Sequence, residues 1–246
     1  MRTTGMFAAI HLAGTAALLW LGYTWLGMGE ARATALAFSF AVALLFLCLT
    51  CWLYGAAFPF FAGRSVGTAF GTALRGLPAL VLTAIALLVL YALVARLAEY
   101  TVQNLGFHMA SWMTLNFRKP VRPYTVQHVF EVIFWIIRWI VLPLLMLPMI
   151  AAIALRGWRG FAAIGAGCCR RLYWLKAPLL VLIGLWIPLK LLGWVPHMKS
   201  FPMEMTSFVL RVAVAYLLFV AGWLALAFVT SAGNPVRTQP STVPSP

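Results

Sequence analysis

Phe61-Ala62-Gly63-Arg64-Ser65-Val66-Gly67-Thr68-Ala69-Phe70-Gly71-Thr72-Ala73-Leu74-Arg75-Gly76-Leu77-Pro78-Ala79-Leu80-Val81-Leu82 decides how this chain is read. One hundred positions on, its frame returns: Phe161-Ala162, Gly167, Pro178 and Leu180-Val181-Leu182 repeat Phe61-Ala62, Gly67, Pro78 and Leu80-Val81-Leu82. Each copy runs from an apolar stretch through a basic connector and a proline into a second apolar stretch. A duplicated hairpin of this kind puts both basic connectors on one side of a membrane.

Composition supports that frame. Hydrophobic residues make up 64% of the chain and charged residues 9%, whereas soluble proteins average about 45–50% and 25%. The only acids are Glu30, Glu99, Glu131 and Glu204, too few to solvate a water-soluble fold of this length. The net charge of +14 does not point to nucleic acid, because the basic residues stand singly between apolar runs instead of sharing one face. They cluster where helices leave a bilayer, which suits anionic lipid head groups and the positive-inside rule. The expected partners are membrane lipids, anionic ones above all, and other membrane or cytoplasmic subunits.

A spanning helix needs roughly 17–25 mostly apolar residues. Six stretches qualify, at about 6–28, 33–57, 77–96, 129–154, 177–195 and 205–231. The sequence therefore predicts an all-α integral membrane protein of about six transmembrane helices, with a duplicated helix–amphipathic connector–helix hairpin. The transmembrane domain covers 1–232, and a Pro-, Ser- and Thr-rich tail over 233–246 is expected to be disordered. Ala31-Arg32-Ala33 has the small-x-small form of a signal cleavage site. The apolar run before it exceeds the usual 7–15 residues of a signal peptide, so a retained helix is expected.

With six spans, both termini share a side with connectors 58–76 and 155–176. The second connector carries Arg156, Arg159, Arg170, Arg171 and Lys176 and no acid, and short connectors near helix ends weigh most in orientation. Cytoplasmic termini in a bacterial cytoplasmic (inner) membrane follow as the expectation.

The first connector reads as an amphipathic helix. Val66, Phe70, Leu74 and Leu77 form one stripe, and Arg64 and Arg75 fall on the far side. Gly63, Gly67 and Gly71 offer a small-residue ridge for close packing. Arg64, Arg75, Arg170 and Arg171 are thus candidate contacts for lipid head groups or a partner. Pro78 and Pro178 are expected in the first turn of the helix that follows, where no N–H is needed. Segment 98–128 is too apolar for a free loop, and is expected to bury a face in the head-group region.

Charges inside spans are costly, about 2.5–3.5 kcal/mol near a helix centre on the milder scale. Arg138 and Arg211 are such charges, each seven residues after a glutamate, Glu131 and Glu204. That spacing sets each pair on one face but about 10 Å apart along the axis, so cross-pairing between helices or a bound anion is needed to satisfy them. Arg138, Arg211, Glu131 and Glu204 are therefore the candidate site for a lipid phosphate, quinone or anionic substrate. Snorkelling arginines with structural ion pairs are the competing account.

The remaining chemistry is thin. His128 and Glu131 stand at i, i+3, and with His108 or His197 they would suggest a metal, yet no established zinc spacing is present. His11 lacks a second intramembrane histidine for haem and reads as packed or hydrogen-bonded. Cys48-Leu49-Thr50-Cys51 and Cys168-Cys169 read as small apolar residues rather than redox centres. No catalytic residue, metal or cofactor is expected.

Three functional readings remain. The first is a non-enzymatic membrane component of an envelope transport or assembly system. The second is a small anionic-lipid transporter or flippase using Arg138 and Arg211. The third is a membrane enzyme working at the outer interface through His128 and Glu131.

Overall fold

A computed structural model describes residues 2–28, 32–117, 120–163, 171–196 and 200–231. Among these the chain is helical, without a strand. Six helical segments are long and apolar enough to cross a bilayer: Thr3–Leu26, Ala33–Phe61, Leu77–Phe117, Pro123–Ala162, Tyr173–Gly193 and Phe201–Ser231. The tail over 233–246, Glu30, Arg118, Lys119, Cys168, Cys169, Arg170 and His197 lie outside the described residues.

Helix α1 (Arg2–Leu26) pairs with α2 (Ala33–Gly55). In lipid no hydrophobic force drives helices together, so polar side chains and close packing must hold them. Three side-chain hydrogen bonds do so here. Trp25 Nε1 donates to Ser39 Oγ at 2.9 Å, Thr15 Oγ1 lies 3.0 Å from the Tyr54 hydroxyl, and His11 Nε2 lies 2.9 Å from the Leu53 carbonyl oxygen.

The chain then makes two short helices, α3 (Ala57–Phe61) and α4 (Val66–Arg75), before the third span. Ser65 caps α4, accepting from the Thr68 N–H at 3.4 Å. Trp52 Nε1 ties the helix to α2 through the Phe70 carbonyl at 3.1 Å. Ala56, Ala57 and Phe58 are fully buried, and Phe7 stacks on Phe60 at 3.9 Å. The main core lies at this connector end, where Phe7, Phe58, Leu80, Ile153, Tyr173 and Ala227 meet. Elsewhere large apolar side chains point outward, such as Phe40 (68% exposed) and Leu88 (60%), as lipid-facing surfaces do.

Of the apolar stripe of α4, Val66 and Phe70 pack on the main core and Leu74 is exposed, with Ala69 and Ala73 buried beside them. One expectation for this helix needs correction. Gly63, Gly67 and Gly71 face open space instead of a neighbouring helix. Small alanines let α4 sit close to α2, and the glycine ridge is turned away.

The third and fourth spans are much longer than a bilayer requires. Helix α5 (Leu77–Tyr100) continues through a π turn, Thr101–Leu105, into α6 (Gly106–Phe117). These 41 residues extend roughly 60 Å at about 1.5 Å per residue, against a hydrocarbon thickness of about 30 Å. Helix α7 (Pro123–Ile136) returns alongside, passes a π turn at Ile137–Val141, and becomes α8 (Leu142–Arg156). Segment 98–117 is helical throughout. It prolongs α5 as one arm of an antiparallel hairpin, packed on α7, with Gly106 set against Gln127.

A 3₁₀ segment, Gly157–Ala163, folds back on α8. There Gly160 approaches the Ala152 backbone so closely that a Cβ would lie 2.5 Å from the Ala152 carbonyl oxygen. Helix α9 (Arg171–Val181), a π turn at Leu182–Trp186 and α10 (Ile187–Gly193) form the fifth span, and α11 (Phe201–Ser231) the sixth. Pro78 stands in the first turn of its helix as expected, but Pro178 lies inside α9. The fifth helix is already formed at Arg171, well before the proline.

Candidate functional site

Arg138 sits within the π turn Ile137–Val141, five residues before Pro143. Proline offers no N–H to the carbonyl four residues earlier and clashes with it. A wider turn upstream relieves that conflict. The same device precedes Pro188 in the fifth span, where the π turn is Leu182–Trp186. Arg138 thus occupies an irregular turn of an otherwise regular span.

Its guanidinium is poorly satisfied. The Arg138 side chain is half-buried, and Nε is buried with no hydrogen-bond partner among the described residues. Cζ stands 5.9 Å from the centroid of the Tyr91 ring, which in turn meets Trp139 edge-on at 5.9 Å. A ring face offers a cation some attraction but accepts no full hydrogen bond. A buried, unpaired donor on a charged group is expensive, and no other nitrogen of this guanidinium has a hydrogen-bond partner among the described residues.

Two cavities meet at this arginine. One, of about 400 Å³, is the more polar: Glu99 and Gln103 from the third span and Glu131 and Arg138 from the fourth line it, while apolar side chains such as Phe134 and Trp135 make up the rest. The other, of about 320 Å³, is apolar and extends past Tyr91, Leu142, Met146 and Phe219 to Trp223. Trp223 Nε1 is a second buried donor without a partner among the described residues. Arg138 belongs to the lining of both cavities, with a charged compartment on one side and an apolar one on the other.

The carboxylates beside Arg138 are engaged by their own helix neighbours. Glu99 Oε2 lies 3.3 Å from Arg96 Nη1, and Glu131 Oε2 lies 3.3 Å from His128 Nδ1. Tyr124 stacks on His128 at 6.1 Å. His128 and Glu131 are both exposed, and no group of three or more His, Cys, Asp or Glu side chains capable of holding a metal occurs among the described residues.

Arg211 is placed differently. Its Nε donates to the Ser207 carbonyl at 3.2 Å and its Nη1 to the Leu191 carbonyl at 3.4 Å, linking α11 to α10. It lines neither cavity at Arg138. Glu204 is exposed in the first turn of α11, where the helix dipole favours an acid. The structure therefore gathers Arg138 and Glu131 in one cavity and leaves Arg211 and Glu204 outside it. Glu99, Tyr91 and Trp223 join the site without having been anticipated. Glu99 fell just outside the third span as read from the sequence, 77–96, so nothing marked it as a charge within the helices.

Among the connector residues, Arg64 donates to the Thr72 hydroxyl, and Arg75 is exposed at the end of α4. Arg171 opens α9, while Arg170 is outside the described residues. His11 is fully buried, with Nδ1 3.2 Å from the Phe7 carbonyl oxygen and Nε2 beside that of Leu53. Both ring nitrogens lie near backbone carbonyl oxygens, of which a neutral imidazole can donate to one. Cys48 and Cys51 are free thiols, half-buried in α2. Comparison of the chain with protein-family models, curated proteins and solved structures finds no match.

Proposed function

We propose that this chain is a non-enzymatic, multi-pass component of an envelope transport or assembly system in a bacterial cytoplasmic membrane, and that it holds a lipid phosphate at Arg138. One observation carries the reading. Arg138, whose guanidinium makes no hydrogen bond or ion pair among the described residues, lines both the more polar cavity and the apolar one. An amphipathic lipid has that division of chemistry, with an anionic group for the guanidinium and a chain for the apolar cavity. A phosphate oxygen would form charge-assisted hydrogen bonds with Arg138, roughly twice as strong as neutral ones.

The orientation belongs to the same proposal. With cytoplasmic termini, Arg138 lies toward the outer leaflet, and Arg64, Arg75, Arg170 and Arg171 meet cytoplasmic head groups or a partner subunit. The duplicated hairpin is part of this reading as well. Movement of the lipid, rather than retention alone, is favoured by the interrupted helices: Pro143 and Pro188 each follow a π turn within the bundle. Arg211 is not required in this scheme, because it lines neither cavity and two of its donors already serve backbone carbonyls.

Native mass spectrometry of the protein purified in mild detergent tests the site. A phospholipid-sized adduct is expected on the wild type and on Arg211→Ala, and is expected to be lost from Arg138→Ala. A wild-type protein that flies bare, or an adduct undiminished in Arg138→Ala, overturns the proposal.

A further inference from the structure

We infer that the lipid head group at Arg138 is zwitterionic: a phosphoethanolamine whose phosphate lies on the guanidinium and whose ammonium lies between Glu99 and Glu131. The inference rests on the reading of Arg138 as a lipid-phosphate site and adds the identity of the head group.

The polar cavity contains charges of both signs. Its lining includes one guanidinium, Arg138, and two carboxylates on facing helices, Glu99 of α5 and Glu131 of α7, with the Gln103 amide beside them. A purely anionic head group would carry its charge to Arg138 past two carboxylates and be repelled by both. A head group that adds a cation at the far end of the phosphate meets the three lining charges with the right sign, although Arg96, paired with Glu99, offsets part of that carboxylate's charge. The cavity volume of about 400 Å³ leaves space for such a group.

The carboxylates are equipped for an ammonium. Each uses Oε2 for its neighbour on the same helix, at 3.3 Å in both cases. No hydrogen bond reaches Oε1 of either among the described residues. A primary ammonium has three N–H donors, enough for one oxygen from each carboxylate and the Gln103 side-chain carbonyl. A quaternary choline has none, and a glycerol head group brings no positive charge. The ranking expected from this chemistry is ethanolamine first, with choline and glycerol behind it. Arg96 and His128, which hold the carboxylates in place, are the other charged or titratable side chains bonded to this group.

Competition among lipids decides the point. The purified full-length protein is given an equimolar mixture of phosphatidylethanolamine, phosphatidylcholine and phosphatidylglycerol with identical acyl chains, and bound adducts are read by native mass spectrometry. Phosphatidylethanolamine is expected to exceed each of the others by about tenfold, the scale of one added hydrogen bond to a charged group. In the double variant Glu99→Gln/Glu131→Gln the three lipids are expected to bind within about twofold of one another. Equal or preferred binding of phosphatidylglycerol or phosphatidylcholine by the wild type overturns the inference, and so does a preference that survives in the double variant. Those results leave lipid retention through Arg138 standing. Absence of every lipid from the wild type overturns both. The wild-type competition needs no variant to fold.

Discussion

The Tyr173 hydroxyl donates to the Leu144 carbonyl at 2.6 Å, and that carbonyl is the one Pro148 leaves without its helical donor. Pro148 lies inside α8, and a proline cannot supply the N–H that the residue four positions earlier would accept from. The gap left in the fourth span is filled from the fifth. Replacing Tyr173 by Phe should lower stability by about 1–3 kcal/mol, read as a lower midpoint of thermal unfolding in detergent. Restoring the donor with Pro148→Ala should recover part of that loss. Strictly additive effects of the two substitutions would show that Tyr173 does not serve this carbonyl.

Gly184 and Gly222 bring the fifth and sixth spans into backbone contact. A Cβ built on Gly222 would stand 2.5 Å from the Gly184 Cα, so neither helix can accept a side chain there without moving. Gly222→Ala is expected to cost about 1–3 kcal/mol through overpacking, despite alanine's better helix propensity. Gly71→Ala makes the opposite case, since it faces open space inside α4 and should gain roughly 0.5–1 kcal/mol. A thermal-shift comparison of the two variants separates the cases. Equal shifts of the same sign would contradict the packing described.

Arg138 and Arg211 should respond differently to truncation. Arg211→Ala removes two bonds to backbone carbonyls, at Ser207 and Leu191, and should destabilise the lipid-free protein by about 1–2 kcal/mol. Arg138→Leu removes a buried donor that has no partner at Nε. It should leave the lipid-free protein within about 0.5 kcal/mol of wild type or more stable. Delipidated samples unfolded in detergent provide the measurement. A large loss at Arg138 would mean that the side chain is structurally satisfied.

His11 joins the first two spans near the end of α2, where the last carbonyls of a helix lack partners of their own. With Nε2 beside the Leu53 oxygen at 2.9 Å, His11→Phe keeps a ring of similar size and leaves that acceptor bare. The expected cost is about 1–3 kcal/mol, seen as a lower unfolding midpoint. No change in that midpoint would mean that water or a neighbour already serves Leu53.

Much of the architecture was legible in the order of residues. Six apolar runs in a chain with four acids leave few alternatives, because a bilayer forces each exposed backbone into a helix whatever the side chains. The start of α5 was equally readable, since Pro78 suits a first turn and little else in a helix. Pro178 was not. Nothing local distinguishes a proline that begins a helix from one inside it when the residues before it, Arg171 to Ala177, are themselves good helix formers.

The site divided along the same line. That Arg138 and Glu131 were costly in a span followed from their charge alone, and so did their place on one helix face. Whether a charge finds a partner depends on the rotation and tilt of neighbouring helices, which arise from contacts far along the chain. Helix α5 and the π turn after it therefore brought Glu99 and Gln103 into one cavity with Arg138, and α10 offered Arg211 a carbonyl. The extent of the long hairpin was settled in the same way. Segment 98–117 has both apolar and polar residues and no local signal of its direction, and packing against α7 made it one arm of the hairpin. Composition determined the solvent and the spans; only tertiary packing decided which buried polar atoms were left without a partner.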